Sequence, residues 1–156
     1  TLLARLAPPE IEAVLAHELG HFKLKHVIKR MAWIFGASLA FLWLLAQLMS
    51  QPWFYSGLNV QLSVQSPSTA MALILFSIVV PQFIFLLQPV TSFYSRKHEF
   101  EADRYAAQHA SRVDLISALV KLYKDNASTL TPDPLHSAFY DSHPPATLRI
   151  ERLKNA

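Results

Sequence analysis

The sequence predicts an all-α, integral-membrane chain in which a two-helix transmembrane hairpin separates two charged helices. Three observations predict it. Between Arg30 and Arg96 there is no Asp, Glu, Lys, Arg or His. Two apolar runs inside that interval are each long enough to cross ~30 Å of hydrocarbon at ~1.5 Å per helical residue. The residues outside it show helical spacing, with 52% of the chain hydrophobic and only 16% charged. A water-soluble domain scatters its charges along the chain; this one confines them to its two ends.

The first element is a helix over residues 9–30. Pro9 suits a first turn, Glu10 and Glu12 suit the positive end of the helix dipole, and Ile11, Val14, Leu15 and Leu19 make an apolar stripe. Residues 31–49 (MAWIFGASLAFLWLLAQLM) read as the first membrane span. Residues 50–68 form a connector whose Trp53, Phe54 and Tyr55 suit a membrane–water interface. A second span runs over 69–90, with a kink expected at Pro81 and an end at Pro89. Residues 91–126 then carry a charged helix from Phe93 to about Ala110 and an amphipathic helix, VDLISALVKLYKDN, capped by Ser111 or Asp114. Residues 127–156 are mostly loop up to 146, ending in a short helix after His-Pro-Pro.

Composition narrows the chemistry. With no cysteine, disulfides, thiolate metal sites and a cysteine nucleophile are excluded, so any metal must be held by His, Asp or Glu. The net charge of +3 does not point to nucleic acid. Lys23, Lys25, Lys29, Arg30, Arg96 and Lys97 flank the neutral interval, the arrangement of membrane anchoring, which puts both charged ends on the cytoplasmic side. A pair of buried core helices in a soluble protein is the competing reading. Residues 1–6 hold no long apolar core of a signal peptide, and the abrupt start reads as that of a fragment.

His17-Glu18-Leu19-Gly20-His21 is an HExxH pattern. Helical residues four apart lie about 40° apart around the axis, so both imidazoles face one way and can reach one Zn²⁺. Glu18 lies about 100° from His17, near enough to act as general base on a water beside the metal. A chance match with surface histidines is the alternative. A catalytic zinc site needs a third protein ligand. In SRKHEFEADRYA, residues 95–106, Glu99 and Asp103 are again four apart. Glu99 could ligate the metal, and Asp103 could accept from the far nitrogen of a ligand histidine. An ordinary solvated charged face is the competing reading here. The hairpin returns the chain to the side it left, which favours Glu99 standing beside His17 and His21.

HELGHFKLKH, two spans, SRKHEFEADRYA and then SHPPATLRIERL together resemble the type I CAAX prenyl protease family of integral-membrane zinc metalloproteases. The resemblance covers nearly the whole chain. It implies a zincin-type fold with one Zn²⁺ held by His17, His21 and Glu99, Glu18 as catalytic carboxylate, and Asp103 behind a ligand. It also implies that His143 and Arg149 approach the active site, contacting the substrate backbone or the oxyanion. Pro144 and Pro145 would hold His143 rigidly for that task. The implied substrate is a protein C-terminus bearing a prenylated cysteine, cut to release its last three residues. Members of that family have further membrane spans before the HExxH helix, which this sequence lacks. The implied location is the endoplasmic reticulum membrane in a eukaryote or the inner membrane in a bacterium. The rival functions are a quality-control protease of the heat-shock membrane type and a non-catalytic zinc-stabilised scaffold. His26, His98, His109 and His136 are read as outside the metal's ligand set, with His26 pointing about 140° away from His21.

Overall fold

A computed structural model describes residues 5–61, 68–125 and 132–155. They form seven α-helices: α1 (Pro8–Lys23), α2 (His26–Met49), α3 (Pro52–Ser56), α4 (Thr69–His109), α5 (Arg112–Asp125), α6 (Pro134–Tyr140) and α7 (Ala146–Lys154). No strand occurs among the described residues. Parts of the expected 50–68 connector and of the 127–156 segment lie outside them. The chain divides into two compact units, one of Ile28–Leu87 and one formed by the residues before and after it.

The Ile28–Leu87 unit is apolar nearly throughout. Leu45, Phe54, Tyr55, Ala72 and Leu75 pack together, and the Phe41 and Phe76 rings meet edge to face with centroids 6.5 Å apart. Tyr55 satisfies its buried hydroxyl by donating to the Met49 carbonyl, 2.9 Å away, which ties α3 to the end of α2. Many other apolar side chains face outward: Trp33, Phe35, Leu39, Trp43, Ile78 and Phe83 are all exposed. Only 6% of the most apolar window of α2 and 11% of that of α4 is buried. Core helices of a soluble protein would be mostly buried. Apolar surface on this scale, each Å² costing about 25 cal/mol in water, calls for lipid.

Three sequence expectations are corrected. The helix expected over 9–30 is interrupted: α1 stops at Lys23, and Lys25 has φ 57°. The Leu24 and Lys25 amides close the turn on the Gly20 and Phe22 carbonyls, 3.0 and 3.1 Å away. A side chain in the left-handed region costs about 1–3 kcal/mol, so surrounding contacts must hold it there. The second apolar helix does not end at Pro89; α4 continues through Pro81 and Pro89 to His109. Proline's fixed φ is compatible with a helix, and in hydrocarbon there is no water to compete for the remaining backbone groups. The stretch 127–146 is not mostly loop where it is described. Asp133 caps α6 by accepting from the Leu135 and His136 amides, both 2.9 Å, with Pro134 in the first turn.

The other unit is held by small residues. Ala13, Ala16, Ala106, Leu115, Leu119 and Leu153 form its core, drawn from α1, α4, α5 and α7. Ser111 caps α5 through the Asp114 amide, 3.3 Å. α6 is tied to α4 by Arg96, which donates to the Ser137 and Asp141 carbonyls at 2.9 and 3.0 Å. Such a cation suits a helix C-terminus. Arg152 of α7 lies over the Phe100 ring, 3.8 Å from its centroid.

Glu10 fastens α1 to α5. Its carboxylate is buried, accepts from Lys121 and from Ser117 at 2.7 and 2.6 Å, and also accepts from the Ala7 amide at 2.7 Å. Those partners, Lys121 foremost, lower its pKa from 4.5 to about 2. A carboxyl depressed on folding stabilises the fold above its unfolded pKa and loses that contribution as pH falls through the folded one. Glu10→Gln is therefore expected to melt below the wild type at pH 6, with the gap between the two narrowing from about pH 4.5 down to about pH 2. Parallel thermal melts across that range check it. A gap constant with pH contradicts the assignment.

Candidate metal centre

The centre lies within the unit formed by the chain's two ends. α1 places His17 and His21 one turn apart with their Nε2 atoms 3.1 Å from each other. α4 brings Glu99 against both, Oε2 at 3.6 Å from His17 Nε2 and Oε1 at 3.5 Å from His21 Nε2. Glycine at position 20 allows that approach. A Cβ there would lie 3.1 Å from the Ala102 Cα and 3.2 Å from its carbonyl oxygen, backbone atoms that cannot swing aside. The glycine of HELGH thus fixes how close α1 comes to α4.

Behind this triangle the polar groups are buried and paired. Asp103 Oδ1 is 2.9 Å from His17 Nδ1. A carboxylate only accepts, so Nδ1 carries the ring proton and the His17 Nε2 lone pair faces Glu99 and His21. Arg149, from α7, grips Asp103 with two bonds, Nε to Oδ2 at 2.8 Å and Nη2 to Oδ1 at 2.6 Å, and its Nη1 lies 3.2 Å from Glu99 Oε2. Burial alone would lower the Arg149 pKa, but Asp103 and Glu99 raise it above its ordinary value. Arg149 was expected to reach toward substrate; it is 6% exposed, with its guanidinium turned onto the two carboxylates of α4.

His143 is at the open side. Its ring is exposed, and Nδ1 donates to Glu99 Oε1 across 3.2 Å. That bond raises the His143 pKa despite burial of part of the ring. Pro144, fully buried, is anchored by the Tyr123 hydroxyl, which donates to its carbonyl at 2.8 Å. Glu18 is exposed on α1, and its charge acts on both His21 and His143. Burial, then the neighbouring His17, push the His21 ring below the usual imidazole range.

The structure thus brings together His17, His21, Glu99, Asp103, His143 and Arg149. His109 bonds its own helix at the Tyr105 carbonyl, and His136 lies against Tyr140, neither in contact with the triangle. Sequence reasoning missed two participants, Tyr123 and His26, and one contact, that of Arg149 with Asp103. Tyr123 gave no signal, since a tyrosine on an amphipathic helix reads as packing. Arg149's grip on Asp103 needed the tertiary fold. His26, expected to point away, has its Nδ1 3.1 Å from His21 Nδ1, because the 140° figure assumed the helix that Lys25 interrupts.

Residues 1–156 match the family model described as Peptidase family M48. The chain belongs to peptidase family M48. Among its M48 relatives, the CAAX prenyl protease 1 homolog of Mus musculus is 35% identical over 147 residues, covering 94% of this chain and 30% of the relative. The CAAX prenyl protease 1 homolog of Taenia solium is 42% identical over 156 residues, with 92% and 30% covered. The crystal structure of S. mikatae Ste24p superposes with a TM-score of 0.79 at 28% identity, covering 94% of this chain and 36% of that one. The chain therefore spans about a third of the length of these relatives.

The M48 triangle passes a test for holding a metal. Atoms bound ~2.0–2.1 Å from one tetrahedral ion stand roughly 3.3 Å apart. The two nitrogens stand 3.1 Å apart, Glu99 Oε1 lies 3.5 Å from His21 and Oε2 lies 3.6 Å from His17. One ligand atom from each residue lies within 4.8 Å of the others. Two imidazole nitrogens and one carboxylate oxygen, donors without a cysteine, are the set such an ion takes in a catalytic site.

Proposed function

We propose that this chain is the zinc-binding, proteolytic part of a membrane metalloendopeptidase acting on protein C-termini that carry a prenylated cysteine. The convergence of His17, His21 and Glu99 from two helices carries the reading. One Zn²⁺ bound there would polarise the scissile carbonyl and acidify a water. Glu18 accepts a proton from the attacking water and returns it to the leaving amine as the C–N bond breaks. Asp103 fixes the His17 ring so that Nε2 faces the metal position. Arg149 acts as a positioning residue, holding Asp103 and Glu99 in register rather than touching substrate. His143, exposed at the open side with a raised pKa, supplies a donor for the carbonyl oxygen of the substrate.

The substrate class rests on the relatives' names together with HELGHFKLKH and SHPPATLR. The basic residues flanking the apolar interval support a site on the cytoplasmic side of the bilayer. The substrate class is tested by incubating the protein with a farnesylated CaaX peptide and with its unmodified twin, and reading the products by mass spectrometry. Release of three C-terminal residues from the farnesylated peptide alone is expected. Equal cutting of both peptides would favour the quality-control class of membrane protease instead.

A further inference from the structure

The two ligand histidines of the proposed site are treated differently by the fold. His17 has Asp103 behind it. Behind His21 stands another histidine, His26, whose Nδ1 is 3.1 Å from His21 Nδ1 and whose Nε2 is 3.0 Å from Glu101 Oε2. His26 is 3% exposed, and its ring is stacked on His98 with centroids 4.1 Å apart and planes 12° from parallel. Nothing in the proposed reaction uses it.

The protons along this chain can be assigned one by one. Glu101 is a carboxylate and only accepts, so His26 Nε2 carries a hydrogen and donates it. In the neutral ring the other nitrogen, Nδ1, then holds a lone pair. The close approach to His21 Nδ1 requires a hydrogen between the two nitrogens, and His21 must supply it. With Nδ1 protonated, His21 keeps its lone pair on Nε2, the atom that faces His17 and Glu99. The opposite tautomer of His21 would set two lone pairs against each other across the 3.1 Å contact with His26. The lone pairs of the His17 and His21 Nε2 atoms, also 3.1 Å apart, would instead converge on the cation of the proposed site. The Glu101–His26 end therefore selects the one form of His21 that can bind a cation.

We infer that His26, backed by Glu101, is the positioning residue for His21, fixing its tautomer and ring plane as Asp103 does for His17. This rests on the proposed zinc site. His26, His98 and Glu101 also lie close enough together to hold a cation of their own. While the link to His21 stands, however, His26 has no lone pair left to give. The interruption at Lys25 has its explanation here: the left-handed turn swings His26 back over His21, where a continuous helix would carry it away.

Side-chain geometry provides the test. An asparagine amide reaches the position of a histidine Nδ1, and a glutamine amide that of Nε2. Zinc affinity of the whole chain in detergent, measured by competition with a chromophoric chelator, is expected to fall 10- to 100-fold in His26→Leu and His26→Gln. His26→Asn is expected to stay within about threefold of the wild type, since its oxygen still accepts from His21. Stoichiometry is expected to be one zinc per chain, and metal-free melting of the Asn and Gln variants to agree. Equal affinities in the Asn and Gln variants, whether both lost or both retained, overturn the inference, as do two zinc ions in the wild type with one lost in every variant. If His26→Leu does not fold, the Asn and Gln pair still decides. A wild type that binds no zinc sinks the proposed function and this inference with it; intact wild-type binding with indifferent variants sinks the inference alone.

Discussion

Glu18→Gln is expected to keep its metal and stop cutting. The side chain is exposed and lies next in sequence to the buried His17. Gln preserves its size and hydrogen bonding but cannot take a proton from water. General-base catalysis contributes about 10²–10⁴-fold, so turnover of a cleavable peptide should fall by about that factor. Zinc content and melting temperature should stay at wild-type values, because Glu18 makes no contact that holds the ligands. Side-by-side metal analysis and peptidase rates check this. A variant that still cuts at the normal rate would remove Glu18 from the mechanism, and a variant that loses zinc would make it a structural residue.

The largest stability effect should come from Arg149→Ala. Arg149 is the cation that lets Asp103 and Glu99 both remain charged while 4% and 6% exposed. Removing one member of a buried ion network leaves the others uncompensated, at a cost of about 3–5 kcal/mol. For a chain of this size that lowers the melting temperature by on the order of 10 °C. Arg149→Lys should not restore it, since an ammonium cannot span both Asp103 oxygens and Glu99 together. Added zinc should recover part of the loss in the Ala variant, because a divalent cation between His17, His21 and Glu99 replaces some of the missing positive charge. Thermal melts with and without metal give the answer. An unchanged melting temperature would mean that the network contributes nothing, and Arg149 would revert to a surface-type role.

Much of the site was legible in the sequence because its chemistry follows helical spacing. His17 and His21, and separately Glu99 and Asp103, are four apart, and that interval alone puts each pair on one face. The uncharged interval between them told the same story about the membrane. What the sequence did not show are features set by tertiary contact. No Gly, Pro or Asn marks the interruption at Leu24–Lys25, and the nearness of His26 to His21 that goes with it is a tertiary feature. Pro89 read as a terminus, yet α4 runs on through it to His109. Asp133-Pro134 did carry a start signal for α6, which the density of prolines around it obscured. Arg149 was visible as a residue, but its grip on Asp103, 46 positions earlier, is a property of the folded chain.

X-ray absorption at the zinc edge, on protein loaded with one equivalent of metal, bears most directly on the whole account. Two imidazoles and one carboxylate oxygen at ~2.0–2.2 Å are expected, with the metal lost or its coordination changed in Glu99→Ala as well as in His21→Ala. A metal environment indifferent to Glu99, or no stoichiometric binding at all, would mean that the meeting of α1 and α4 is structural and that the chain's chemistry lies elsewhere.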